Sequence, residues 1–166
     1  MSIYVDNAAT TALSDTALAA MAPCFQEVYG NPSSLHSPGQ RAAEKLAQAR
    51  EIFARRLNAA PREITFTSGG SEADTQALRS AAALGERKGK RHIISTKFEH
   101  HAVLHTLEAL EREGFEVTLL DIPPDGVVTA EQVRSALRPE TCLVSVMFAN
   151  NEIGTIQPVA EIGAVC

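Results

Sequence analysis

Three short segments carry residue types whose chemistry is specific enough to consider first. In Thr67-Ser68-Gly69-Gly70-Ser71-Glu72, two glycines and two hydroxyls stand between a β-prone run and a helix-forming stretch. Glycines let a backbone approach an anion closely, and the free N–H groups and dipole of a helix start favour a phosphate there. The segment has neither the GK[ST] of a P-loop nor the GxGxxG of a dinucleotide fold, so a smaller phosphate suits it better. The alternative is a plain strand-to-helix turn, with Ser71 and Asp74 capping the helix.

The second segment is Glu99-His100-His101-Ala102, after another strand-like run. A histidine at that end of a parallel strand can lie flat on an aromatic ligand. His101 and His105 are one helical turn apart, but no carboxylate or cysteine completes a zinc spacing. The third is Asn150-Asn151-Glu152-Ile153-Gly154, whose amides could bond a planar polar ligand or simply form an Asx turn. Asn31-Pro32 and Asp6-Asn7 are open to the same two readings. Cys24, Cys142 and Cys166 lack CxxC spacing and suit small core positions in a reducing compartment.

These segments need elements to position them. Ile64–Thr67, His92–Lys97, Phe115–Leu120 and Leu143–Ala149 are expected as strands, the last apolar enough for burial on both faces. Helical stretches are expected from Glu72 to about Gly85 and through Val103, Leu104, Leu107 and Leu110, with Gly114 closing the latter. Pro123-Pro124-Asp125-Gly126 marks a turn, and Thr129-Ala130-Glu131-Gln132 fits a capping box. Strands alternating with helices predict a mostly parallel α/β sheet with flanking helices. Before it, residues 14–28 read as a helix disturbed by Pro23. Ser37 reads as the cap of another helix that runs towards Pro61 with Pro38 in its first turn. The expected organisation is an N-terminal arm with helices over 1–60 and an α/β layer over 61–166.

The composition narrows the function. The 166 residues carry 15 Lys+Arg against 20 Asp+Glu, a formal charge of −5, with no basic run to hold a nucleic acid. No uncharged apolar stretch reaches the roughly 18 residues of a membrane span. The first twenty residues have no basic leader, so a cytoplasmic protein is expected.

Taken in order, YVDNAATT, GNPSSLHSPG, FTSGGSEAD, EHHAV and ANNEIGTIQP resemble the cysteine desulfurases, in the NifS/IscS-like branch of the class V aminotransferases. The likeness runs from Tyr4 to the last residue. It implies the large domain of a pyridoxal 5'-phosphate (PLP) transferase of the aspartate-aminotransferase-like fold, truncated, with residues 61–166 as its first part. By this likeness Gly70 and Ser71 match the pair holding the cofactor phosphate, where the family more often has Ala-Thr. His100 matches the histidine that stacks on the pyridine ring and moves protons. Asn151 matches the asparagine bonded to the ring hydroxyl oxygen, and Asn31 the one that helps hold the substrate carboxylate.

The implied reaction takes sulfur from L-cysteine, leaving L-alanine and an enzyme persulfide for iron–sulfur cluster or thio-cofactor assembly. The implied partners are a sulfur-acceptor or scaffold protein and a second copy of the chain. The reaction also needs a Schiff-base lysine, an aspartate at the pyridine nitrogen, a loop cysteine and a carboxylate-binding arginine. Lys45, Lys88, Lys90 and Lys97 all stand outside the serine-x-histidine-lysine context, and Cys166 does not match the loop cysteine. The 166 residues alone are therefore expected to be inactive. Other readings are a selenocysteine lyase, a class V aminotransferase, or a short non-catalytic binding protein.

Overall fold

A computed structural model describes residues 3–166, which fall into two compact units, one ending at Phe66 and the other spanning Thr67–Cys166. The first unit holds helices α1 (Asp15–Gln26) and α2 (Ser37–Arg56) and a short 3-10 turn at Pro61–Glu63. Ser14 caps α1 by accepting from the Ala17 amide at 3.2 Å, and Pro23 lies inside the helix. The cap of α2 is His36 rather than the expected Ser37. Its Nδ1 accepts from the Gly39 amide at 3.2 Å, which moves Ser37 and Pro38 into the first turn.

Residues 64–67 do not form the expected strand. Phe66 is held on α2 instead, its ring 5.8 Å from that of Phe53 and 4.9 Å from the Arg50 guanidinium carbon. The same guanidinium donates to the Ile64 carbonyl. A β-prone run becomes a strand only where a partner edge is offered, and here side chains of α2 take up the segment.

The second unit is a three-stranded parallel sheet in the order β2-β1-β3, with β1 (His92–Thr96) central, β2 (Glu116–Leu120) and β3 (Thr141–Val144) outside. Helix α3 (Gly70–Glu86) precedes β1, and α4 (His101–Arg112) crosses from β1 to β2. Helix α5 (Ala130–Ala136) crosses from β2 to β3, and α6 (Val159–Val165) ends the unit. Ile93 and Ile94 point to opposite faces, as strand alternation demands. Ile93 packs with Leu78, Ala82, Val103, Leu107, Leu110 and Phe115 of the α3 and α4 side. Ile94 packs with Leu120, Val128, Val133 and Ile162 of the α5 and α6 side. The result is three layers, helix–sheet–helix.

Local signals fold as their chemistry predicts. Thr129 and Gln132 form a reciprocal capping box at the start of α5. Gly114 ends α4 at φ 93°, and Gly126 takes φ 73° in the turn its amide closes by donating to the Pro123 carbonyl at 2.8 Å. β3 is shorter than the apolar run 143–149 suggested, and it is half-buried rather than buried on both faces. It occupies one edge of the sheet, so only its β1 side is paired. The register to β1 slips between His92 and Ile93, leaving Cys142 out of the pairing. Cys142 packs against the α3–α4 core instead, with its Sγ donating to the His92 carbonyl at 3.4 Å.

That packing leaves no space at Gly85 of α3, where an added Cβ would lie 2.4 Å from the Cys142 Cβ and 2.6 Å from its Sγ. Gly85→Ala should therefore cost about 1–3 kcal/mol by overpacking, despite alanine's better helix propensity. A denaturant midpoint equal to or above wild type would contradict this.

His92 supplies a second prediction. Burial, aided by Arg138, holds its imidazole below the ordinary pKa, against the opposing pull of Glu116 and Glu140. As pH falls through about 6.5 the unfolded chain takes up a proton before the folded one. Stability from neutral His92 is thus complete above that pH and lost below it, down to the folded value. Wild type should lose more stability between about pH 7.5 and pH 5.5 than His92→Gln does. Equal losses in urea titrations would refute it.

Candidate functional site

In a parallel α/β sheet, ligands bind beyond the carboxyl ends of the strands, where helix N-termini also point. α3 runs into β1 and α4 leaves it, so both helices place their N-termini at that edge. Thr75 Oγ1 and Thr106 Oγ1 meet at 3.2 Å, five residues into each helix, which sets α3 and α4 parallel and side by side.

The start of α3 carries Gly70 and Ser71. Gly69 is the N-cap residue and has no side chain to cap with, so the first-turn amides of Gly70, Ser71 and Glu72 receive no side-chain cap. An added Cβ at Gly69 or Gly70 would meet nothing within 4 Å, so the space above this turn is open. The expected Ser71–Asp74 cap is absent. Glu72 instead reaches back to Ser68, accepting from its amide at 2.7 Å and its hydroxyl at 2.6 Å. This fixes the loop from upstream and leaves the helix donors unused.

His100 caps α4, its Nδ1 accepting from the Ala102 amide at 3.1 Å. That bond leaves Nε2 as the protonated nitrogen in the neutral ring. His101 and His105 stack with ring centroids 5.5 Å apart. Among the described residues no group of three or more His, Cys, Asp or Glu side chains is placed to hold a metal ion.

After β3 the chain makes a turn closed by an isolated antiparallel bridge between Ala149 and Ile156, with Gly154 at φ 77°. The two asparagines divide here. Asn150 is buried and makes the Asx turn, its Oδ1 accepting from the Glu152 and Ile153 amides at 2.8 and 3.0 Å. Asn151 is exposed. It shares with His100 the lining of a cavity of about 320 Å³, to which Lys97, Phe98, Glu99, Leu104, Asn150 and Ile153 also contribute. Gly70 and Ser71 do not line that cavity but start the neighbouring parallel helix at the same edge. Asn31 belongs to the first unit, in a turn where its Oδ1 accepts from the Ser33 amide at 2.9 Å.

Sequence reasoning gave Glu99 no role of its own. It is 7% exposed, and its carboxylate accepts from the Met147 amide at 2.7 Å and the Thr96 hydroxyl at 3.2 Å. Burial raises its pKa and nearby Asp74 adds to this, while the two hydrogen bonds oppose the rise. A lone Glu before a histidine pair offers no signal of this; only the sheet brings residue 147 to it.

Helices on both faces of a parallel sheet, with ring, amide and helix donors at its carboxyl edge, define an α/β protein with polar groups where such folds hold ligands. The chain belongs to the aminotransferase class-V family, which matches residues 3–166. It is 51% identical over 164 residues to the protein named cysteine desulfurase IscS of Clostridium botulinum (strain Kyoto / Type A2), covering 99% of this chain and 41% of that one. The solved structure of a NifS-like protein superimposes with a TM-score of 0.94 at 41% identity, over 99% of this chain and 45% of that one. A structure described as SspA in complex with cysteine matches with a TM-score of 0.90 at 40% identity, over 98% and 46% respectively. The chain thus spans less than half the length of these relatives, and the likeness to cysteine desulfurases extends along all but a residue or two of it.

The Ser68–Glu72 tie gives a direct test. Both donors hold the Glu72 carboxyl below its ordinary pKa. Its contribution is complete above the usual carboxylate range and lost as pH falls through the lowered folded value. Glu72→Ala should speed hydrogen exchange at the Ser68 amide while exchange in the middle of α3 is unchanged. Unaltered exchange at Ser68 would show that the tie does not hold the loop.

Proposed function

We propose that the protein carrying this chain is a PLP-dependent cysteine desulfurase, which removes sulfur from L-cysteine to give L-alanine and an enzyme persulfide. The observation that supports it most is the uncapped start of α3, open above Gly69 and Gly70, beside a cavity shared by His100 and Asn151. An uncapped helix start suits a dianionic phosphate, and a ring and an amide suit a planar polar heterocycle. The residues present therefore fit the cofactor that class V aminotransferases use.

In this reading the first-turn amides of α3 and the Ser71 hydroxyl hold the phosphate. His100 lies on the pyridine ring, and its Nε2 is the atom free to hold or move a proton, since Nδ1 is occupied by the Ala102 amide. Asn151 bonds the ring hydroxyl oxygen, and Asn31 helps hold the substrate carboxylate. Bound PLP supplies the electron sink for bond breaking next to the substrate amine. The lysine, aspartate, cysteine and arginine that complete the reaction are assigned to the part of the relatives' length that this chain does not span. A homodimer, a cytoplasmic location, and a sulfur acceptor serving iron–sulfur cluster or thio-cofactor assembly belong to the same reading.

The polypeptide of the complete reading frame, supplied with PLP and a reductant, should convert L-cysteine to alanine and sulfide. His100→Ala should lower kcat by about 10²-fold or more, the scale of a lost general acid–base. Failure to form alanine, or turnover of selenocysteine alone, would overturn the desulfurase reading.

A further inference from the structure

Two loops leave the carboxyl edge of the sheet side by side, one after β1 and one after β3, and they are tied together twice in opposite directions. From the β1 loop, Glu99 Oε1 accepts a hydrogen bond from the Met147 amide of the β3 loop at 2.7 Å. From the β3 loop, Asn150 Nδ2 donates to the Phe98 carbonyl of the β1 loop at 3.0 Å. Each tie comes from a buried side chain, and each of those residues immediately precedes a site residue: Glu99 before His100, Asn150 before Asn151.

Each side chain makes further bonds, those of Glu99 falling on the same oxygen, Oε1. Glu99 accepts from the Thr96 hydroxyl, at the last position of β1, which fixes the carboxylate to the strand itself. Asn150 Oδ1 accepts from the Glu152 and Ile153 amides, which fixes the turn that carries Asn151. His100 is in turn fixed to α4 through its Nδ1. A chain of hydrogen bonds therefore runs from the imidazole-bearing helix start to the amide-bearing turn. Burying a carboxylate is costly unless hydrogen bonds compensate it, and apolar packing would join two loops at less cost. Hydrogen bonds are directional where apolar packing is not, so their use here fixes distance and orientation.

We propose that Glu99 and Asn150 are positioning residues forming a reciprocal clasp that sets His100 and Asn151 at the spacing a planar ligand requires. The inference rests on assigning His100 and Asn151 to PLP. Glu99 and Asn150 also border that cavity, and the inference adds that their part is to join the two loops.

Three variants of the full-length protein test this. Glu99→Ala removes one tie. Glu99→Gln keeps an acceptor for the Met147 amide. Asn150→Asp keeps the acceptor for Glu152 and Ile153 but puts an acceptor where the donor to Phe98 stood. Core variant Leu110→Ala, which lowers stability without touching either loop, is the control. The readouts are hydrogen exchange at the Met147 amide in the cofactor-free protein and the PLP dissociation constant by absorbance.

Glu99→Ala and Asn150→Asp should weaken PLP binding about tenfold, the scale of one hydrogen bond lost. Glu99→Ala should also speed exchange at Met147. Glu99→Gln should restore both towards wild type, and Leu110→Ala should leave PLP affinity unchanged. Wild-type affinity in Glu99→Ala and Asn150→Asp, or an equal loss in Leu110→Ala, would overturn the proposal. If wild type itself binds no PLP, the desulfurase reading fails. Faster Met147 exchange in Glu99→Ala would then support the clasp, and unchanged exchange would overturn it too.

Discussion

A strand that pairs on both edges and packs on both faces has no access to water, and β1 is such a strand from His92 to Thr96. Three of its five residues, His92, Ser95 and Thr96, are polar. Buried polar groups without partners are costly, so each must bond within the fold. His92 bridges the sheet, with Nδ1 2.7 Å from the Thr141 hydroxyl and Nε2 2.9 Å from the Thr118 hydroxyl. The Thr141 hydroxyl also accepts from the Arg138 amide, which ties the β3 start to the same network. Ser95 donates to the Ser145 carbonyl at 2.9 Å, and Thr96 to Glu99. These bonds fix the register of both neighbours along the strand, and apolar contacts alone would not.

The site inherits that rigidity. Parallel pairing sends each strand's carboxyl end to one edge, and the connecting helices bring their N-termini to the same edge. Residues 70, 100 and 151, far apart in sequence, are brought to that edge by the topology. Gln157, buried on the other side, extends the same principle: its Oε1 accepts from the Val128 amide and its Nε2 donates to the Gly126 carbonyl, both within 2.9 Å. That anchors the loop before α5 to the segment after the Asn150 turn. Among the described residues no buried side-chain polar atom lacks a partner.

Signals that operate within a few residues were legible in the sequence. The Thr129–Gln132 box, the glycine after α4 and the Pro123–Gly126 turn depend only on near neighbours, and the alternation of strand and helix follows from hydrophobic period. Signals that depend on a partner far along the chain were not. Ile64–Thr67 has strand composition, but Phe53 and Arg50 of α2 take up its ring and backbone. The run 143–149 has the composition of a doubly buried strand and stands at an edge. Asn150 and Asn151 are identical in type and adjacent, and the inward one is held partly by the Phe98 carbonyl from a distant loop.

A helix start that is to hold an anion, as proposed for α3, faces a conflict, because the donors that would hold a ligand are the ones folding would otherwise cap. At residues 68–72 the first-turn donors carry no side-chain cap and the loop is tied one step upstream. A Ser, Thr, Asp or Asn at position 69 would offer its own oxygen to the amides of the first turn. Glycine there offers none, so the loop needs another anchor, and Glu72 supplies it by reaching back to the amide and hydroxyl of Ser68. The carboxylate also carries its charge near the positive end of the helix dipole, which favours it. In the proposed function that same charge would oppose the cofactor phosphate, and affinity would depend on the backbone donors and the Ser71 hydroxyl outweighing it. The spacing of glycine, glycine, serine and glutamate thus expresses a balance between holding the loop in the empty protein and leaving the helix start open to an anion.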